Sequence, residues 1–163
     1  MRLGAVAVKM SFKASGVGRV AAELRQVAER TSDGARGQMK RAAARIVDRA
    51  QIYVPEDTTA LRESIRIEKT YEGRGRLAID VVAGNATAIM ESGKLINLDQ
   101  YAWIIHERYS QFKPGRRTRE KMSENPTAQI GEGFMTRAYE DEEERLERQM
   151  VETVTNIIRS IMV

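Results

Sequence analysis

Apolar residues spaced three and four apart run from Val17 to Val47, and a proline then ends the pattern. Val17, Val20, Ala21, Leu24, Val27 and Ala28 make one stripe, and Met39, Ala42, Ala43, Ile46 and Val47 continue it. This is the period of an amphipathic helix. Ser15 stands where a helix cap would. Gly34 lies between the two halves and either kinks one long helix or divides two shorter ones. The favoured reading is one helix over about 17 to 51. Pro55 stops it, because proline removes an amide donor and restricts Val54 to extended backbone.

Around that helix the sequence places shorter elements. Residues 5–12, AVAVKMSF, alternate weakly and predict a first strand. Residues 64–70 and 76–82 alternate about a Gly-Arg-Gly turn and predict a hairpin, with a weaker strand at 86–90. YAWIIHE at 101–107 reads as a short helix or as a strand. Residues 109–130 hold two prolines, one glycine and a basic cluster of Lys113, Arg116, Arg117, Arg119 and Lys121. They predict an exposed arm, mobile in the free subunit, with Phe112 locking its base. A last helix opens near Phe134. Its stripe is Phe134, Ala138, Leu146, Met150, Val154, Ile157, Ile158 and Ile161, and EDEEE at 140–144 forms a solvated acidic face. The expected class is therefore α+β. It is one domain over 1–163, with a long N-terminal and a C-terminal helix packed on a small, mainly antiparallel sheet.

Composition narrows the chemistry. The absence of cysteine excludes a disulfide scaffold and thiolate metal sites, and a single histidine excludes a His-rich zinc cluster. No apolar run approaches the ~20 residues that span a bilayer, so no membrane partner is expected. The net charge is +4, but it is uneven: residues 1–60 carry 11 basic against 6 acidic side chains, and residues 134–163 carry 4 against 7. Such asymmetry orients a molecule against a neighbour.

No catalytic pattern completes itself. HERY at 106–109 begins like a zinc-protease helix, but Ser110 stands where the second histidine must be. His106, Glu107 and Asp99 could exchange protons, yet no nucleophile is placed beside them. Gly16, Gly18, Gly34 and Gly37 lack the Gly-Lys-Ser/Thr ending of a phosphate loop. Thr58, Thr59 and Ser64 have no activating base, and contiguous acids on a helix fan outward instead of converging on a metal. The expectation is no enzyme, no cofactor and no metal. VPEDTTALRESI at 54–65 then reads as a rigid turn between helix and sheet.

The order of these features resembles the tail-component family of long-tailed phages, which covers neck, tail-completion and tail-to-head joining proteins. Val54, Pro55, Asp57, Thr58, Leu61, Arg62, Ser64 and Ile65 match its turn motif, with Thr59 where the family usually has glycine. Tyr101, Ala102, His106 and Glu107 fit a second, looser feature, and Pro126, Phe134 and Ala138 a third. The resemblance covers about residues 15–150. It implies a structural virion protein, made in the bacterial cytoplasm, that forms a ring, commonly hexameric, at the head-tail junction. Its partners would be copies of itself and the adjacent head-connector and tail proteins, with non-specific contact to DNA in the channel. A terminator ring capping the tail tube stays open beside it. The assembly surfaces expected are Tyr101, His106, Glu107, Phe112, Arg116, Arg117, Arg119, Phe134, Ile157 and Ile161. A rival reading, a DNA-binding packaging accessory, rests on Arg41, Arg45 and Arg49, spaced to share a helix face, together with Arg116, Arg117, Arg119 and Lys121 of the arm.

Overall fold

The computed structural model describes residues 17–56, 59–73, 76–84, 86–89 and 93–161. The strand expected at 5–12, the cap Ser15, Asp57 and Thr58 of the turn motif, and Met162 and Val163 lie outside the described residues. Among the described residues no helix is long and apolar enough to cross a membrane.

Helix α1 runs unbroken over Val17–Tyr53, so Gly34 does not divide it. A short helix α2 (Thr59–Ser64) follows, then the antiparallel hairpin β1 (Arg66–Gly73) and β2 (Arg76–Val82). A second small hairpin joins β3 (Thr87–Ile89) to β4 (Leu95–Asn97), a pairing not expected from sequence beyond its first strand. Helix α3 (Leu98–Arg108) settles the YAWIIHE segment as helical, capped by Asn97, whose side chain accepts from the amides of Asp99 and Gln100. A 3-10 turn (Tyr109–Gln111), helix α4 (Arg116–Glu124) and helix α5 (Phe134–Ile161) complete the chain. The two long helices and the small antiparallel sheet agree with the expected class.

Two long helices pack against each other because one glycine lets them approach. At Gly34 a methyl group would stand 2.7 Å from Thr153 Cγ2 and 2.9 Å from Ile157 Cδ1. The helices run antiparallel, with Gln38 Nε2 donating to Thr153 Oγ1 at 2.9 Å and Arg45 lying against Gln149 and Glu142. In that register α5 ends before α1 begins, so the first turns of α1 run past it. Leu24 is accordingly 63% exposed and Ala28 is exposed, so this part of the stripe is not core. Replacing Gly34 with alanine gains about 1 kcal/mol of helix propensity but overpacks the contact by about 1–3 kcal/mol. A lowered melting temperature is expected. Gly37→Ala meets only the tip of Arg41 at 3.4 Å and should raise the melting temperature by about 2 °C. Thermal denaturation of both variants checks the contrast.

The core lies at the other end of α1. Ala50 and Val54 pack with Leu61, Ile65, Ala102, Ile105, Tyr109, Phe134 and Ala138. Four elements therefore converge where Pro55 ends the long helix.

Candidate functional site

VPEDTTALRESI forms the hub of that convergence. Val54, Leu61 and Ile65 are each at most 1% exposed and anchor three successive elements in one core. Ser64 links the two sides of the hub: its hydroxyl donates to the Leu61 carbonyl at 2.7 Å and accepts from the Gly84 amide at 2.9 Å. Gly84 has a positive φ of 106°, and a side chain there would press on Asp99, so the close approach needs glycine. Arg62 pairs with Glu56 at 3.2 Å. The buried Pro55 stops the helix as expected. The described residues of this motif thus join elements, and they hold no nucleophile-and-base pair.

The carbonyls freed at the end of α1 are satisfied from an unexpected place. Lys121 Nζ donates to the Gln51 carbonyl at 2.7 Å and the Val54 carbonyl at 2.8 Å, with Glu56 at 3.7 Å. Thr118 is fully buried, donating to the Glu56 carbonyl at 3.1 Å and accepting from the Glu56 amide at 3.0 Å. Burial pushes the Lys121 ammonium below its ordinary value, and the nearby Glu56 carboxylate opposes that shift. The arm expected at 109–130 is therefore corrected. It carries a turn and a helix, and that helix is docked on the hub. Tyr109 and Ile130 are buried at its two ends. Gly131 donates to the Tyr53 carbonyl at 2.9 Å, and Gly133 to the His106 carbonyl at 2.7 Å. Phe112, expected to lock the base, is 49% exposed.

The charged faces of the long helices meet each other. Glu142 is fully buried and accepts from Arg45 Nε at 2.7 Å, while Arg45 Nη2 reaches Gln149 Oε1 at 3.1 Å. Arg49 pairs with Asp141 at 3.1 Å, and the Tyr53 hydroxyl donates to the same carboxylate. Two expectations are corrected here. The acidic run is not wholly solvated, and Arg45 and Arg49 do not present free charge to DNA; Arg41 stays exposed. Hydrogen bonding to Asp141 raises the Tyr53 phenol above its ordinary value of 10.0. The stabilisation from that bond is present below pH 10 and is lost as pH rises through the raised value. In an alkaline ultraviolet titration the Tyr53 phenol should ionise above its ordinary value, and Tyr53→Phe should remove its share of the late absorbance rise.

The remaining candidates separate into core and surface. Phe134 is fully buried, so it is a core residue and not a contact for another subunit. His106 packs edge-on against it at 5.3 Å, with Nδ1 2.7 Å from Glu107 and Nε2 3.3 Å from the Thr136 hydroxyl. Tyr101 packs on the core margin. Arg116 is exposed and lies 3.7 Å from Glu120; Arg119 is exposed and donates to the Pro114 carbonyl at 2.7 Å; Arg117 is half-buried. Ile157 and Ile161 are half-buried on α5. Sequence reasoning passed over Trp103, 54% exposed with the Arg108 guanidinium 5.3 Å from its ring centre. Among the described residues no cluster could hold a metal ion.

A family model described as a bacteriophage HK97-gp10 tail-component matches residues 18–103, which spans α1, the hub, both hairpins and the first part of α3. His106, Glu107 and the third group of motif residues lie beyond the matched stretch. No curated protein and no solved structure matches the chain. The model covers more than half of the sequence, over the elements that the turn motif joins. The chain belongs to the bacteriophage HK97-gp10-like tail-component family, and it is a structural virion protein of the head-tail junction.

Proposed function

We propose that copies of this chain close into a hexameric ring between the head connector and the tail, and that DNA passes through its channel. The observation that carries the reading is the family match across α1, the hub and the hairpins. The structure supports it in a second way. The long helices pair Arg45 with Glu142 and Arg49 with Asp141, while the large apolar or aromatic side chains Leu24, Trp103 and Phe112 stay exposed and free to meet a neighbouring copy. Contacts between two different patches, repeated by rotation, close a ring. Arg41 and the α4 arginines supply cations that a passing duplex meets without sequence readout.

Amine cross-linking of intact particles tests the ring. A ladder of this chain ending at six copies is expected, and a chain that never links to its own kind would refute it. Of the basic residues behind the DNA-binding rival, Arg45 and Arg49 pair with Glu142 and Asp141, and Lys121 is turned onto the end of α1. Free subunits should bind duplex no tighter than about 1 μM at physiological salt. Nanomolar, steeply salt-dependent binding by the monomer would favour the rival.

A further inference from the structure

Ile89 and Leu95 are the two most exposed large apolar side chains among the described residues, at 70% and 65%. They are also cross-strand partners in the β3–β4 hairpin. Each strand alternates exposed, half-buried, exposed, so Ala88 and Ile96 face the molecule while Ile89 and Leu95 share the outward face. Together they form one apolar knob, flanked by the exposed Lys94.

Between α1, β2 and α5 lies an apolar groove of about 310 Å³. Ala42 and Ala43 form its floor, Ile79 and Val81 one wall, Tyr139 and Leu146 the other. Among the described side chains that line it, the Tyr139 hydroxyl is the one polar group, so it has little to orient a polar small molecule. Its rim is acidic: the exposed Glu143 accepts from Tyr139 at 3.4 Å, and Glu140 is exposed beside it. Knob and groove are complementary in both polarity and charge, an apolar tip with a lysine against an apolar slot with glutamates.

We propose that the β3–β4 hairpin of one subunit inserts Ile89 and Leu95 into the α1–β2–α5 groove of the next, setting Lys94 against Glu143. The contact joins two different patches, so it is heterologous and propagates by rotation until a ring closes. This inference rests on the ring reading and names the surfaces that make the ring.

Because the chain has no cysteine, a thiol trap reads this contact alone. Particles carrying Leu95→Cys together with Tyr139→Cys, both at exposed positions, are treated with a bis-maleimide beside wild-type particles treated with an amine cross-linker. Ladders are expected in both, and none from either single variant. An amine ladder without a thiol ladder overturns the knob-in-groove contact and leaves the ring standing. Absence of both ladders removes the ring reading itself, and the inference falls with it. A fast-migrating monomer in the double variant means the groove holds its own hairpin. A Tyr139→Cys thiol protected in the free subunit means residues 5–12 cover the groove. Either result overturns the proposal. Independently, Leu95→Asp should keep the wild-type melting temperature and lower the yield of tailed, infectious particles by about thirtyfold or more. An unchanged yield would also overturn it.

Discussion

Arg45→Ala is expected to destabilise the fold by about 3–5 kcal/mol, the cost of leaving a buried carboxylate without its cation. Glu142 is fully buried, and its Oε2 finds no hydrogen-bond donor among the described residues, so Arg45 is its principal compensation. Glu142→Leu should cost less than Arg45→Ala, because the arginine left behind is 23% exposed and can reach water. The double variant Arg45→Met, Glu142→Leu should recover most of the loss, since two apolar side chains need no pairing. Urea denaturation of the three variants gives the comparison. Equal, small losses in both single variants would mean the pair is not buried as described.

The second large effect concerns α4. Thr118→Val keeps the shape of the side chain but strips the Glu56 amide and carbonyl of their partner in a site closed to water. A loss of about 1–3 kcal/mol is expected. Lys121→Met leaves the Gln51 and Val54 carbonyls without their donor, at about 1.5–3 kcal/mol. The two residues share one short helix, so their effects should not add. The lysine also has a pH signature. Its folded value lies below the ordinary 10.5, so its burial penalty is present at neutral pH. That penalty is relieved as pH climbs through the folded value toward 10.5, and stability rises there. Lys121→Met should remove this rise. A mobile arm could lose residues 112–122 without loss of the fold; with α4 docked, that deletion should instead expose the end of α1 and the hub. Circular dichroism and thermal melting of the deletion decide between these outcomes.

The long helices were legible because their apolar period persists over many turns, and Pro55 marks where the first must stop. The β1–β2 hairpin was legible from alternation, although its start shifts from residue 64 to Arg66. Ser64 there closes α2 and bonds to Leu61, a local use of a hydroxyl that alternation does not register. Helix α4 was missed because six of its nine residues are charged and Met122 is its one apolar side chain, so no apolar face announces it. It is held by two polar side chains whose partners are 62 to 70 residues away. Glu142 carried a signal that went unread. It falls four residues after Ala138 and four before Leu146, on the buried stripe itself, and a carboxylate there requires a cation from the facing helix. The knob at Ile89 and Leu95 needed the β3–β4 pairing, since neither residue alone marks a surface.

Electron microscopy of intact virions tests the central claim most directly. The account predicts a closed ring of this chain between the head connector and the tail. In it α1 and α5 lie as an antiparallel pair in every subunit, α4 is docked on the hub, and six copies surround the channel. A junction complete without this chain, or this chain present there as isolated copies that do not touch one another, would contradict it.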